Sequence, residues 1–298
     1  MDIKQLVFVI PAVILLAMII AGVARQDHHH HGGFGHKHGE ATVSIDQYAF
    51  QSRLYALNPI FKVSISLTLL LMCVCMNNLW VSLLIILFTT YVTVVLGGLE
   101  FHRYVGLMSI PLAFLIIGSI VILFDFSWIA NPEALVVWHL FNFYINITSA
   151  AITTTVLLWG KAFGAISAMY MMSLTTPSGE LFSVLEKWKL SPLLIDLMNM
   201  IYRFIFIMMD TQARMKNSAE SRLGYKDFKT SIKSFGSTAS NLLVVSFRKA
   251  NAYYDALESR CYDGRMKFLQ DAKSVPLRYS AGAACTVVYL AAVWLITR

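Results

Sequence analysis

Three groups of residues in this chain have types and spacings that could do chemistry. Six of the eight histidines fall in one short tract: His28, His29, His30, His31, His36 and His38. Imidazole binds cobalt, nickel, zinc and copper, so such a tract can capture a divalent metal loosely and raise its local concentration. Its neighbours Gly32, Gly33 and Gly35 also suit a solvated linker or a tag remnant. The second group is an echo. Ala219-Glu220-Ser221-Arg222-Leu223-Gly224-Tyr225 returns, thirty-eight residues on, within Ala256-Leu257-Glu258-Ser259-Arg260-Cys261-Tyr262-Asp263-Gly264. Each Glu-Ser-Arg closes a helical run and is followed by an aromatic residue and a glycine. One copy would read as helix capping, with glycine as the left-handed stop and arginine at the negative end of the dipole. Two copies suggest two equivalent plugs for two equivalent sockets, because the guanidinium fork pairs bidentately with a carboxylate. The third group is a single residue, Lys161, the one charge well inside an apolar run. It could be functional, or could snorkel or pair with a backbone carbonyl or a partner subunit.

Other chemistry is missing. No phosphate loop, H-E-x-x-H or G-x-S-x-G sequence occurs, so the chain does not read as an enzyme. The four cysteines, Cys73, Cys75, Cys261 and Cys285, have neither metal-site nor disulfide-framework spacing and read as packing residues. The apolar runs Ile60–Leu96, Val105–Phe124 and Ile147–Leu174 contain no Asp, Glu or His. A path for a divalent ion needs ligands at membrane depth, so these runs do not read as the route of a metal.

The elements that must position these residues follow from composition. Hydrophobic residues make up 57% of the 298 and charged ones 14%, with mean hydropathy +0.62. These values predict an all-α integral membrane protein. About five to six transmembrane helices are expected, with a cytoplasmic helical domain inserted before the last one. Sixteen of the 24 Lys and Arg residues fall between Lys187 and Arg278, against eight carboxylates. That basic block marks the cytoplasmic side. It reads as topology signal and anionic-lipid contact rather than nucleic-acid binding.

In order, residues 1–44 form an N-terminal extension. Its apolar run Leu6–Ala24 reads as a span, or as a signal peptide with Gly22-Val23-Ala24 as cleavage site. Residues 45–179 form the transmembrane region, 180–276 the cytoplasmic helices and 277–298 the final span. A short interfacial helix around Tyr48–Leu57 is expected to end at Asn58-Pro59, with Lys62 snorkelling at the mouth of the next span. Asp125 to Asn146 reads as an outer loop. A helix opening at Pro192 carries the polar stripe Asp196, Arg203 and Asp210. The rest of that helix is rich in Met and Phe, giving an amphipathic rod with an adaptable contact surface.

In combination, several of these sequences resemble the transmembrane T component of energy-coupling factor transporters, nearest the CbiQ-like branch of cobalt and nickel uptake systems. They are the paired arginine ends, Asp46-x-Tyr48-Ala49, Asn58-Pro59-x-x-Lys62, Thr175-Thr176-Pro177 and Tyr202-Arg203. The resemblance covers about Ile45 to Ile296. It implies a cell-membrane scaffold that docks two ABC-type ATPases and relays their closure to a separate substrate-binding, CbiM-like membrane subunit. A small CbiN-like subunit and membrane lipid complete the implied partners. ATP would be used by the ATPases and Co2+ or Ni2+ held mainly by the partner, with no cofactor on this chain. Carried over by position, Arg222 and Arg260 would seat in the ATPase grooves, with Ala219, Ser221, Gly224, Ala256, Ser259 and Gly264 shaping the two ends. The family often has Ala-Arg-Gly where this chain has Ser-Arg-Leu and Ser-Arg-Cys. Two other readings stand beside this one. One is a self-contained secondary metal transporter using the histidine tract; the other is a membrane anchor whose basic helices bind anionic lipid.

Overall fold

A computed structural model describes residues 41–127, 134–140, 143–263 and 273–297. The histidine tract, the first apolar run and Gly264 lie outside these residues. The described chain forms two compact units. One holds the residues up to Ser178 together with those after 272, and the other lies within Gly179–Asp271.

The first unit is a bundle of apolar helices. Helix α1 (Ala41–Gln51) and a 3-10 turn (Arg53–Ala56) lead into α2 (Pro59–Cys75). The 3-10 turn stops with Leu57 as its C-cap, so the helical segment ends at Asn58-Pro59 as expected, and Asn58 also begins α2. Its Oδ1 accepts from the Ile60 amide at 3.0 Å, and Pro59 takes the first helical position, where no amide hydrogen is needed. Asn78 repeats the device for α3 (Leu79–Thr90), accepting from the Trp80 amide, and a π turn (Tyr91–Leu96) extends that helix. Helix α4 (Phe101–Leu123) follows, then α5 (Ser149–Thr175), and α9 (Leu277–Thr297) closes the unit.

Helix α5 is central and packs on α1, α2, α3 and α4. The core is filled by Leu69 and Cys73 of α2, Val81, Leu84 and Ile85 of α3, Ala168 and Met171 of α5, and Leu290 and Val293 of α9. Gly164 lets α5 approach so closely that a Cβ would collide with Cys73 Sγ. A buried Thr89 Oγ1 to Ser167 Oγ bond of 2.9 Å joins α3 to α5, as small and hydroxylated residues do between helices in lipid. On α4, Ile110, Phe114, Ile117 and Val121 form one exposed stripe. Their spacing of four, three and four residues is one face of a helix, and such a face suits acyl chains rather than water.

By length and composition, five helices among the described residues can cross a membrane: Leu79–Leu96, Phe101–Leu123, Ser149–Thr175, Pro192–Ser221 and Leu277–Thr297. Pro59–Cys75 is apolar but shorter. The chain is an all-α integral membrane protein with one exception. The expected loop at 125–146 instead contains a three-stranded antiparallel sheet of order β1-β3-β2, from β1 (Asp125–Ser127), β2 (Ala134–Leu140) and β3 (Phe143–Thr148). Leu140 pairs with Phe143 and Asp125 with Asn146. The runs Leu-Val-Val-Trp and Phe-Tyr-Ile-Asn-Ile-Thr are β-branched and aromatic, which favours strand pairing. They are too short to stand out by hydropathy.

The second unit contains α6 (Ser178–Lys187) beyond its first residue, α7 (Pro192–Ser221) and α8 (Phe228–Glu258). At 30 and 31 residues, the last two are rods of about 45 Å each, at 1.5 Å per residue. They pack on each other. Phe204 meets Tyr253 edge-to-face at 5.4 Å, and Arg203 Nη1 donates to Tyr253 Oη at 3.4 Å. Of the expected polar stripe, Asp196 is buried, Arg203 bonds across to α8, and Asp210 pairs with Arg214 at 2.9 Å.

Candidate functional site

The two Glu-Ser-Arg sequences fold into the same terminus. At the end of α7, Leu223 N donates to Glu220 O at 2.9 Å and Gly224 N to Ala219 O at 2.8 Å. At the end of α8, Cys261 N donates to Glu258 O at 3.0 Å and Tyr262 N to Leu257 O at 3.1 Å. Arg222 N and Arg260 N bond back to Ala219 O and Leu257 O at 3.1 and 3.0 Å. This is the Schellman pattern, in which two nested bonds satisfy the last carbonyls of a helix and the residue between them turns left-handed. Leu223 and Cys261 both stand at φ 57°. The turn expected of glycine therefore forms at both ends without it.

A left-handed conformation costs an L-residue about 1–2 kcal/mol. Leu223→Gly and Cys261→Gly should each raise the stability of the second unit by about 1 kcal/mol. Chemical denaturation of the purified chain, followed by hydrogen exchange of α7 and α8, would read this. The same cap, with Lys189 at φ 64°, ends α6. It is therefore this unit's general way of stopping a helix, and the arginine is what sets the two later ends apart.

Arg222 and Arg260 are exposed, and among the described residues neither has an ion pair or side-chain hydrogen bond. Ser221 Oγ donates to Asn217 O at 2.9 Å and Ser259 Oγ to Ala256 O at 3.0 Å, so both serines turn back onto their own helices and leave the arginines as the outward groups. Ala219 and Ala256 are not equivalent, because Leu257 supplies the carbonyl that Ala219 supplies in the first copy. Gly224 has a packing role. A Cβ there would lie 2.7 Å from Ser234 Oγ and 2.8 Å from Ala219 O, and that serine donates to Gly224 O at 2.8 Å. The first end is thereby pinned to the start of α8.

A second constellation assembles sequence signatures in the first unit. Lys62 does not snorkel. It is 6% exposed, and its Nζ donates to the Thr175 carbonyl at 2.8 Å, one of the carbonyls left open at the end of α5. Asn58 Nδ2 donates to Lys273 O at 3.0 Å. Lys273 Nζ in turn donates to Tyr55 O at 2.7 Å and lies 3.3 Å from the centre of the Tyr55 ring. Asp46 Oδ1 accepts from both the amide and the hydroxyl of Ser178, at 3.1 and 3.0 Å, beside Thr175-Thr176-Pro177. The Asn-Pro-x-x-Lys sequence thus fastens the start of α2 to the end of α5 and to the approach to α9. Asp46 holds the residue where α6 begins. These roles were invisible in the sequence, since the partners are 113 to 215 residues apart.

Lys161 is half-buried on α5, and its carbonyl accepts from Cys73 Sγ at 3.5 Å. Among the described residues, no group of three or more His, Cys, Asp or Glu is placed to hold a metal.

Apolar helices with a basic helical unit inserted before the last of them define a multi-pass membrane protein. The description of the CbiQ family, cobalt transport proteins, matches residues 50–269, and the chain belongs to that family. It is 30% identical over 254 residues to an uncharacterized protein of Methanocaldococcus jannaschii, covering 85% of this chain and 93% of that one. It is 30% identical over 177 residues to a putative fused cobalt transport protein CbiMQ of Methanocorpusculum labreanum, covering 59% of this chain and 29% of the fusion. It is 25% identical over 163 residues to the cobalt transport protein CbiQ of Salmonella typhimurium, covering 54% of this chain and 72% of that protein.

Proposed function

We propose that this chain is the transmembrane coupling subunit of an ATP-driven importer of cobalt or nickel. It takes no catalytic part. Two ATPase subunits hydrolyse ATP, a separate CbiM-like membrane subunit holds the ion, and this chain joins them. The observation that carries the reading is the pair of matching helix ends, each presenting an exposed arginine that has no ion pair among the described residues, beside a left-handed, non-glycine residue. The cap itself recurs at Lys189 without an arginine, so what supports the reading is the guanidinium that the two later ends add to a terminus whose last carbonyls are already satisfied. A guanidinium held out on a rigid terminus, with no partner on its own helix, is ready for a carboxylate on another protein.

In this mechanism the ATPases grip Arg222 and Arg260, one each. Closure of the nucleotide-bound pair moves the two ends together. Helices of about 45 Å whose last carbonyls are satisfied transmit that displacement without fraying. The fused CbiMQ relative supports a CbiM-like partner, since it joins such a part to a CbiQ part in one chain. The apolar runs Ile60–Leu96, Val105–Phe124 and Ile147–Leu174 contain no Asp, Glu or His, which fits an ion carried by that partner.

The test is affinity capture of the full-length chain from its native membranes, with ATP hydrolysis assayed in the captured material. Capture of a nucleotide-hydrolysing subunit in stoichiometric amount is the expected result. Capture of this chain alone, under conditions that preserve the membrane complex, would contradict the reading.

A further inference from the structure

Between α7 and α8 runs a groove of about 700 Å³. Its walls carry Arg222, Lys233 and Arg248 together with hydroxyl and amide groups such as Ser237, Thr238 and Asn241, and none of its lining residues is acidic. Two nearby carboxylates are already engaged elsewhere, Asp210 with Arg214 and Glu220 with Lys216. The amino end of α8, where the helix dipole is positive, opens beside Thr230 on the same wall. We infer that this groove receives an acidic segment of the ATPase subunit, and that Lys233 and Arg248 extend the contact made by Arg222. This inference rests on the coupling-subunit reading above.

Two features favour a protein carboxylate segment over a lipid surface. First, the cations lie along a furrow lined with side-chain donors, whereas a bilayer presents a plane. Second, α8 has another face of opposite character. Phe228, Ile232, Phe235, Leu243 and Phe247 are all more than half exposed. At 3.6 residues per turn their stripe lies about 170° around the helix from the groove residues. A membrane or membrane-embedded partner covering that apolar stripe leaves the groove pointing away from it, toward water and a soluble subunit. The Arg260 end has a different setting, with Asp255, Glu258 and Asp263 exposed in the same stretch. The two ends thus share one backbone shape, but only the first is backed by a basic groove.

The experiment immobilises the full-length chain with its bound ATPase and follows ATPase release as salt is raised. Lys233→Gln/Arg248→Gln should weaken retention about tenfold and flatten its salt dependence. Lys233→Arg/Arg248→Lys, which keeps both charges, should behave as wild type. A Gln variant indistinguishable from wild type overturns the inference and leaves the role of Arg222 intact. The inference is also overturned if the Gln variant keeps the ATPase but loses attraction to phosphatidylcholine vesicles containing phosphatidylglycerol, because the groove then reads lipid. Failure of the wild-type chain to hold any ATPase removes the coupling reading, and this inference with it.

Discussion

Changing Arg222 and Arg260 together to alanine is expected to strip the ATPase from the purified chain while the spans stay folded. Truncating one side of a desolvated, hydrogen-bonded charge pair costs about 2–5 kcal/mol, or roughly 30- to several-thousand-fold in affinity. Losing both ends should therefore leave no complex at working concentrations. Folding should be spared, because each guanidinium is exposed and has no partner among the described residues. Arg→Lys at both positions separates this account from anionic-lipid anchoring. Lysine preserves the charge but not the planar fork, so a socket loses most of its grip while a lipid surface notices little. Quantifying ATPase per chain after capture, for the wild type and both double variants, measures this directly.

Lys62→Met should have the opposite profile, a stability loss without a binding loss. The ammonium is buried and donates to the Thr175 carbonyl at the end of α5. Hydrogen bonds from charged groups contribute about 1.5–3 kcal/mol, and removing this donor leaves a buried acceptor open. Methionine fills the stem's volume, which confines the change to the lost donor. Thermal unfolding in detergent should shift to clearly lower temperature for Lys62→Met. The molecules that remain folded should retain ATPase as the wild type does. An unchanged midpoint would show that the Lys62–Thr175 contact contributes nothing to the bundle.

These two residues also show where the sequence was informative and where it was not. Runs of about 20 apolar residues declare the bundle, because lipid requires that length. The Glu-Ser-Arg echo declared the paired ends, because two matching stops on two amphipathic helices are visible in the residues themselves. Their conformation was hidden. Without glycine, nothing local announces a left-handed turn at Leu223 or Cys261, and the nested bonds that enforce it belong to the folded helix end. Lys62 was misleading for a related reason. A lysine at the mouth of a span ordinarily snorkels, and only a carbonyl 113 residues away turns it inward. The pairing of Asp46 with Ser178 was similarly out of reach. Lys233 and Arg248 were lost among sixteen basic residues of one block. Only the packing of α7 on α8 selects them. The sheet at 125–148 went unseen because short strands carry little hydropathy signal beside neighbouring spans.

The central claim is that cobalt enters through a complex in which this chain couples and does not carry. Reconstitution into liposomes tests it most directly, with cobalt uptake measured for this chain alone, with the CbiM-like subunit, and with that subunit and the ATPase supplied with ATP. The account predicts uptake only in the complete set, abolished by Arg222→Ala/Arg260→Ala. Cobalt accumulation by this chain alone, without ATPase or ATP, would contradict it and make the chain a transporter in its own right.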